Sequence, residues 1–404
     1  MTPEVKLRVL LLNDSREAGG AESVYNASFE LLSLDDRFEA FRFDATDVNG
    51  RKNLLGTKAW NTIACEALRK KLVEVDPAIV WIHNFHGFLS AAIFRVLKSF
   101  KKVRSCVVVM TMHDYQLVGF NPTLMTYKGS EHSGSIPLDG LSGRHAWLRK
   151  STPKPLLTDV LRKMYWRTAR WVAGWEQTLD AVFCPSPMMK QTATAAGLPR
   201  PTLLRQPSFI SSPPTPGAAI DPGRRIRLLY LGRLSPEKGS LRFFSLLGKT
   251  QFNEVESVDV VGGGAEEPAL KAWIKENGLE SRVRCHGHMA RDRALAFIDS
   301  TDAVVVSSIC YENAPMVIVE AAHFGMPSLV RAFGSLETFA DDLGCKVLWH
   351  DDGTPEALSE ALGRLREKLS HPRRYDTSAY STDAYLDTVF DVCTELRNSP
   401  AGNC

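Results

Sequence analysis

The sequence of 404 residues is 44% hydrophobic and 24% charged, which is typical of globular proteins and long enough for two or three domains. Its 49 Lys and Arg against 46 Asp and Glu leave a formal net charge of +3, so nucleic acid is not an expected partner. No apolar run reaches the roughly 18 to 20 residues of a transmembrane helix, and the N-terminal run is too short for a signal peptide. The eight cysteines show no paired spacing, which favours reduced thiols and a cytoplasmic location.

Short apolar segments alternate with amphipathic segments along the chain, a pattern that predicts a parallel sheet covered by helices. In the first half the predicted strands are LRVLLLN, FEAFRF, AIVWIHN, CVVVMTMH, AVFCPS and TLLRQ. Residues 207–223 are rich in Pro, Gly and Ser and are predicted to form a linker. The alternation then resumes with the predicted strands RIRLLYLG, SVDVVGG, RVRCHGH, AVVVSS, PSLV and KVLW.

We therefore predict an α/β protein of two Rossmann-like domains with a cleft between them. The predicted boundaries are residues 1–206 for the N-terminal domain and 224–374 for the C-terminal domain. A last helix within residues 375–404 can pack on either domain or cross back to the first. Ligands of open α/β sheets bind beyond the carboxyl ends of the strands, so the chemistry is expected in the loops at those ends.

The loop after the first predicted strand contains paired glycines, Gly19 and Gly20. Paired glycines before a helix let backbone N–H groups approach an anion closely, although a plain turn would use the same residues. Because the spacing is not G-x-G-x-x-G, it does not predict a dinucleotide site.

Histidines follow two predicted strands of the first half. The sequence WIHNFHG places His83 and His86 after one strand, and TMHDYQ places His113 and Asp114 after another. At one rim of a cleft these side chains could contact a ligand, but single histidines also satisfy local hydrogen bonds. A metal site would need a third ligand at a recognisable spacing, and none is present, so no metal is predicted.

The first strand of the second half ends in GRLSPEKGS, with Arg233 and Lys238 five residues apart. Both cations could meet one diphosphate at a helix start, or they could simply face solvent. A Walker loop would need Gly at position 237 and Ser or Thr at position 239. This sequence has Glu237 and Gly239 there, so a P-loop NTPase is disfavoured. After the next strand, the sequence VVGGG has Gly263 as the middle one of its three glycines. It predicts a glycine turn whose backbone a flat group can approach closely.

The segment CYENAPMVIVEAAHFGMP predicts a loop that carries Glu312, followed by a helix that begins at Pro315 and is apolar nearly all round. Glu320 lies within this helix, and a buried carboxylate requires hydrogen-bond donors. Two vicinal hydroxyls of a ribose would supply them, as would an arginine or a neighbouring helix end. Glu312 could accept hydrogen bonds from polar ligand groups or complement the helix start.

Taken together, these segments resemble the retaining GT-B glycosyltransferases, in the large family that includes bacterial mannosyl- and glucosyltransferases and the sucrose synthases. The resemblance spans nearly the whole chain, and its most specific part is GRxxxxKG followed about 75 residues later by two glutamates with seven residues between them. The other matching segments, in chain order, are GGAE, HNFHG, TMHD, CPS, VVGGG and YENAPMVIVEA.

The resemblance implies a role for each of several residues on the donor side. Arg233 and Lys238 resemble the pair that holds the donor diphosphate, Glu312 the carboxylate that reads the transferred sugar, and Glu320 the one that holds the ribose. His113 matches a histidine near the sugar's 6-position.

Other positions match loops that line the donor site: Gly19, Gly20, Gly263, Asn313, Ala314 and Pro315. Asn313 and Ala314 replace the more usual Phe-Gly, which bears on donor-sugar specificity. On the acceptor side the candidates are His83, His86 and Asp114.

The family implies transfer from a UDP- or GDP-sugar with retention of configuration and without a metal or other cofactor. The acceptor would be a glycan, a lipid-linked molecule or a small molecule, as in cell-surface polysaccharide or glycoconjugate biosynthesis. Two alternatives stay open: a nucleotide-sugar epimerase of the same fold and a non-catalytic nucleotide-sugar-binding protein.

Residues 143–175 contain eight Arg or Lys against one Asp, interleaved with Trp and Tyr. This composition fits peripheral contact with the inner face of a membrane or with a lipid-linked acceptor, and it also fits a solvated basic helix.

Overall fold

The computed structural model describes residues 6–16, 20–48, 60–129, 131–135, 147–210, 212–221 and 223–399. The chain divides into two compact units. The first unit comprises Met1–Gln206 together with Thr382–Cys404, and the second comprises Pro207–Ser381.

The described part of the first unit is built on a sheet of six parallel strands in the order β2-β1-β3-β4-β7-β8. Its strands are β1 (Leu7–Leu12), β2 (Phe38–Phe43), β3 (Ile79–Ile82), β4 (Val107–Thr111), β5 (Met125–Lys128), β6 (Glu131–Ser135), β7 (Ala181–Cys184) and β8 (Pro201–Leu203). Its helices before residue 207 are α1 (Gly20–Leu34), α2 (Thr62–Val75), α3 (Ile93–Lys101), α4 (Leu156–Ala173) and α5 (Pro187–Ala195). Strands β5 and β6 form a separate antiparallel hairpin.

The described part of the second unit has the same architecture, with six parallel strands in the order β11-β10-β9-β12-β13-β14. These strands are β9 (Ile226–Leu231), β10 (Val255–Val261), β11 (Val283–Gly287), β12 (Ala303–Val306), β13 (Ser328–Arg331) and β14 (Lys346–Trp349). The helices are α6 (Ser240–Gln251, interrupted at Gly248), α7 (Glu267–Glu276), α8 (Arg291–Asp299), α9 (Met316–His323), α10 (Ser335–Thr338) and α11 (Pro355–Leu369).

The central strands are apolar because both faces of each sheet are covered. Every residue of β3, β4 and β12 is buried, as is expected for parallel strands packed between helices. The twelve strands that the sequence predicts are all confirmed, with ends that differ by at most three residues. The β5–β6 hairpin was missed, because its sequence is largely polar and lacks the alternation that identifies a strand.

The last helix, α12 (Thr382–Asn398), packs on the sheet of the first unit. Tyr385 is buried beside Trp81 of β3, and its hydroxyl lies 2.7 Å from the hydroxyl of Ser28 on α1. The aromatic ring and the hydrogen bond together fix the register of this helix on the sheet.

The segment predicted as a linker is held by the second unit. The backbone N–H groups of Thr215, Gly217 and Ile220 donate to carbonyls of His323, Arg373 and Leu369 at 2.8 to 3.0 Å. These bonds give the segment fixed partners despite its turn-rich composition.

Candidate functional site

In the second unit, the loop after β9 packs directly against the end of β12. Gly239 has φ of +65°, and a Cβ at this position would lie 2.4 Å from the carbonyl oxygen of Ser307. The Ser307 hydroxyl donates to the carbonyl of Lys238 at 2.9 Å. Glycine is therefore required after Lys238, and its close approach carries the lysine to the neighbouring strand end.

The structure brings Lys238 and Glu312 together. The lysine Nζ lies 2.6 Å from Glu312 Oε1, and both side chains are mostly buried. The hydroxyl of Ser308 also donates to Glu312 Oε1, and the hydroxyl of Ser335 donates to the Glu312 carbonyl. The family resemblance gives Lys238 to the donor diphosphate and Glu312 to the transferred sugar. In the structure these two residues form one ion pair at the strand ends.

Arg233 is 74% exposed, and its Nη2 lies 3.5 Å from Glu237 Oε1. The arginine and Lys238 are on the same loop, and Glu237 lies between them in sequence. Its role toward a diphosphate stays a prediction.

The VVGGG loop uses two of its glycines to pack against the β9 loop. Gly262 and Gly264 have φ of +137° and +156°, and a Cβ on them would lie 1.9 Å from Gly232 O and 2.2 Å from Leu234 O. The Leu234 N–H donates to Gly263 O at 2.9 Å. The flat group that approaches these glycines is the neighbouring backbone, and donor binding by Gly263 stays a prediction.

Glu320 lies in α9, and its side chain is 11% exposed. In this structure Arg291 donates to Glu320 Oε1 through Nη2 at 2.5 Å and Nε at 3.2 Å. The same guanidinium donates to the carbonyl of Ser208. This arginine pairing was one of the open alternatives, and it satisfies the buried carboxylate. A role of Glu320 toward a ribose stays a prediction.

The loop from Asn313 to Pro315 is half-buried, and α9 begins at Met316, one residue after the predicted start, with Pro315 as its N-cap residue. Before this loop in the chain, the ring centre of Tyr311 lies 5.1 Å from that of Phe333 with the rings tilted by 39°, and a Cβ on Gly334 would lie 2.4 Å from the Tyr311 ring. Ser308, Gly334 and Ser335 support the Glu312 loop and were missed, since nothing in their local sequence indicates which loop they contact.

In the first unit, His83 and His113 form a stacked pair. His83 Nδ1 lies 3.0 Å from His113 Nε2, and the rings are 5.2 Å apart at 21°. His83 also stacks on Trp81. Burial lowers the pKa of His113 to about 4, and burial together with His113 lowers the pKa of His83 well below its usual value. Both imidazoles are therefore neutral at pH 7.

The loop containing His86 is held by a residue that sequence reasoning missed. Asp14, just after β1, accepts from the backbone N–H of Gly87 at 2.5 Å and of Leu89 at 2.8 Å. Burial raises the pKa of Asp14 and lowers the pKa of His86 to about 4. The position of Asp14 shortly after a predicted strand was the signal that could have identified it.

Asp114 has a local role in the structure. Its Oδ1 accepts from the N–H of Gln116 at 2.7 Å and caps the turn Tyr115–Leu117. Burial raises its pKa to about 6. Gly20 begins α1 with open space where a Cβ would be, while Gly19 lies outside the described residues.

The fold of the chain, and the sequence of part of the second unit, match known proteins. Residues 219–382 match the family model described as glycosyl transferases group 1, whereas by sequence no curated protein matches the chain. By structure, the chain is similar to sucrose-phosphate synthase from Thermosynechococcus elongatus (15% identity, 97% of this chain and 99% of that one, TM-score 0.63). It is also similar to the lipopolysaccharide outer core galactosyltransferase WaaB (15%, 96% and 98%, 0.60) and to Anabaena HepE in complex with UDP (14%, 96% and 100%, 0.58).

These matches define the class: the protein has the GT-B fold of glycosyltransferases, which confirms the predicted fold and the resemblance. Within that fold, residues 219–382 match the model of glycosyl transferases group 1. The Lys238–Glu312 pair and the Arg291–Glu320 pair both lie within the matched residues.

Proposed function

We propose that the protein transfers a sugar from a nucleoside diphosphate sugar, with retention of configuration and without a metal. The observation that carries the proposal is the Lys238–Glu312 pair within the residues that match the group 1 model, held between the ends of β9 and β12. UDP is the first nucleotide to test, because Anabaena HepE was solved with UDP and with UDP-glucose.

In this proposal Lys238 neutralises charge that develops on the leaving diphosphate. A cation fixed in a site that excludes water stabilises such charge strongly, and this electrostatic term can replace a divalent ion. The ammonium already contacts Glu312, so diphosphate binding would share it between phosphate and carboxylate. Arg233, on the same loop and largely exposed, would supply the second cation.

Glu312 and Glu320 would then serve two parts of the donor. Glu312, held by Ser308 and Lys238, would accept hydrogen bonds from hydroxyls of the sugar. Glu320 would accept from the ribose hydroxyls, with Arg291 orienting its carboxylate. The half-buried loop Asn313 to Pro315 would line the sugar pocket.

His113 would contact the sugar as a neutral imidazole. Its lowered pKa leaves it uncharged at pH 7, so it can donate or accept one hydrogen bond without attracting the diphosphate. His83 would fix the ring of His113 through the stacked contact. We assign no side chain as a nucleophile; attack occurs on the face that the phosphate leaves, and a phosphate oxygen takes the acceptor proton.

The acceptor would be a glycan, a lipid-linked molecule or a small molecule of cell-surface glycoconjugate synthesis, with His86 on the acceptor side. Burial lowers the pKa of His86, so it would also act as a neutral group. Asp114, which caps its own turn, would act by fixing the backbone that follows His113.

The decisive experiment is a thermal-shift series with UDP, GDP, ADP and their sugars, with and without EDTA, followed by product analysis. We expect one nucleotide to stabilise the second unit strongly in EDTA, and its 2′-deoxy form to do so less. Sugar transfer to an added acceptor is then expected from that donor. Donor turnover to an epimer without acceptor would identify an epimerase, and binding without any product a non-catalytic protein.

A further inference from the structure

Helix α4 buries a charged pair, together with Ala169 and Ala173, and exposes eight larger apolar side chains. Lys163 and Asp159 are buried toward the unit and lie 2.8 Å apart. The N–H of Ser151 donates to Asp159 at 3.0 Å, and Lys163 donates to the carbonyls of Trp147 and Arg149 at 3.0 and 2.6 Å. The buried face is therefore held by polar bonds.

The outward face of α4 carries an apolar stripe, which the exposed Arg167 and Thr168 interrupt between Tyr165 and Trp171. Its members are 39% to 83% exposed and recur along the helix at the spacing of one face: Leu156, Leu157, Val160, Leu161, Met164, Tyr165, Trp171 and Val172. Leu148, 83% exposed, precedes the helix. Scattered exposed leucines need no explanation, but a stripe of this length indicates an interaction surface.

Within residues 147–175 the exposed charges are basic, and Glu176, the next residue, forms an ion pair with Arg170. Lys154, Arg162 and Arg167 are exposed, and the only acid in residues 147–175 is Asp159, which Lys163 neutralises inside the unit. Two copies that paired this face would bring their arginines together, which like-charge repulsion disfavours. An anionic surface with an apolar interior satisfies both features.

At the end of the helix the stripe meets a cavity of about 330 Å³, lined in part by Phe120, Trp147, Trp166, Arg167 and Trp171. The Arg167 guanidinium lies 5.6 Å from the ring centre of Trp147. Tryptophan rings favour the headgroup level of a bilayer, and arginine near that level is attracted to anionic lipid headgroups. Across the described residues no helix is both long and apolar enough to span one.

We propose that α4 lies in the plane of an anionic bilayer, with the stripe inserted below the headgroups and Arg162 and Arg167 against lipid phosphates. This inference does not depend on the glycosyl transfer proposed above. Of the basic segment 143–175, only the outward face of α4 would contact the bilayer. Asp159, the acid of that segment, lies on the opposite face, buried with Lys163.

The test is co-sedimentation of the full chain with phosphatidylcholine vesicles and with vesicles that also contain phosphatidylglycerol. We expect at least about tenfold stronger partitioning to the anionic vesicles, because each basic residue near such a surface contributes about 1 kcal/mol. Added salt should weaken partitioning to the anionic vesicles, because it screens the attraction between the charges. The double variant L161Q/W171Q should abolish binding, and R162Q/R167Q should remove the preference for anionic lipid.

The control is L34Q/V73Q, which changes two apolar side chains that are 84% and 77% exposed elsewhere in the first unit. It should sediment like the unchanged protein, and circular dichroism should show all variants folded. Equal binding to both vesicle types, or equal loss in control and stripe variants, would overturn the proposal. So would a lipid-free dimer that L161Q/W171Q converts to a monomer, since the stripe would then bind a second copy.

Discussion

Lys238 and Glu312 form an ion pair, and a neighbouring serine anchors each of the two residues. The lysine is anchored through its own carbonyl by Ser307, and the carboxylate is anchored by Ser308. Two neighbouring serines at the end of β12 therefore fix both charges. A side chain that arrives with its rotamer already restricted loses less entropy when a ligand binds.

Lys238→Ala should weaken binding of the nucleoside diphosphate by roughly 10- to 100-fold, since a hydrogen bond to a charged group contributes about 1.5 to 3 kcal/mol. Binding of the bare nucleoside should change little. Isothermal titration calorimetry with both ligands measures this, with the exposed Lys275→Ala as the matched control. An equal loss for both ligands would contradict the diphosphate role.

Arg291→Ala should lower the free energy of unfolding of the second unit by roughly 1 to 2 kcal/mol. Removal of one partner from a fully buried pair costs about 3 to 5 kcal/mol, and the half-exposed arginine reduces that figure. Glu320→Gln in the same chain should restore part of the loss by removing the unpaired charge. Urea unfolding of both variants and the double variant checks this, and a double variant no better than R291A alone would exclude the pairing as the cause.

His86→Gln should make the first unit less sensitive to acid. The folded pKa of about 4 lies below the usual value of 6.5, so the unfolded chain takes up the proton first and stability falls between about pH 6.5 and 4. The loss is up to about 3 kcal/mol for this histidine. Asp114, whose pKa is raised to about 6, gains stability over the same window, so the variant must be compared with the unchanged protein.

Urea unfolding at pH 7 and at pH 4.5 measures that difference, and the exposed His371→Gln is its control. If H86Q loses as much stability on acidification as the unchanged protein, the buried neutral state of His86 is wrong.

The conformations of the loops after β9 and β10 depend on the contact between these two loops. Gly262 and Gly264 permit a backbone approach that no side chain tolerates, and the Leu234 N–H closes the contact. The VVGGG sequence predicts such an approach but not the partner. The partner is the loop that carries Arg233 and Lys238, so glycines far from the charged pair set its position.

Gly262→Ala should destabilise the second unit by at least about 2 kcal/mol and weaken nucleotide binding, because it combines an unfavourable φ with a Cβ against Gly232 O. Gly363→Ala is the matched control. It lies exposed within α11 with nothing near its Cβ, so it should stabilise by about 0.5 to 1 kcal/mol. Thermal unfolding should therefore shift in opposite directions, and a neutral G262A would refute the close contact.

For the whole molecule, the last helix matters because the chain returns to complete the first unit. The helix α12 places Tyr385, Leu386, Val389, Val392 and Cys393 in the core with β1 and β3. Stability of the first unit therefore depends on residues that follow the entire second unit in sequence.

Tyr385→Ala should cost the first unit about 3 to 5 kcal/mol, the range for removal of a large buried aromatic side chain. Tyr385→Phe keeps the ring and loses only the hydrogen bond with Ser28, so about 1 kcal/mol is expected. Unfolding followed by tryptophan fluorescence compares the two. Equal effects would show that the hydroxyl, not the packing of the ring, holds the helix.

The sequence by itself determined the twelve sheet strands, their order along the chain and the loops that carry the motif residues. These follow from apolar periodicity and from glycine and proline chemistry, which act over a few residues. Only the tertiary structure decided which charges meet. Lys238 and Glu312 are 74 residues apart, and Arg291 and Glu320 are 29 apart, so their pairing depends on strand order. The outward face of α4 was decided in the same way, because the polar bonds that bury Asp159 and Lys163 come from residues 147–151, outside the helix.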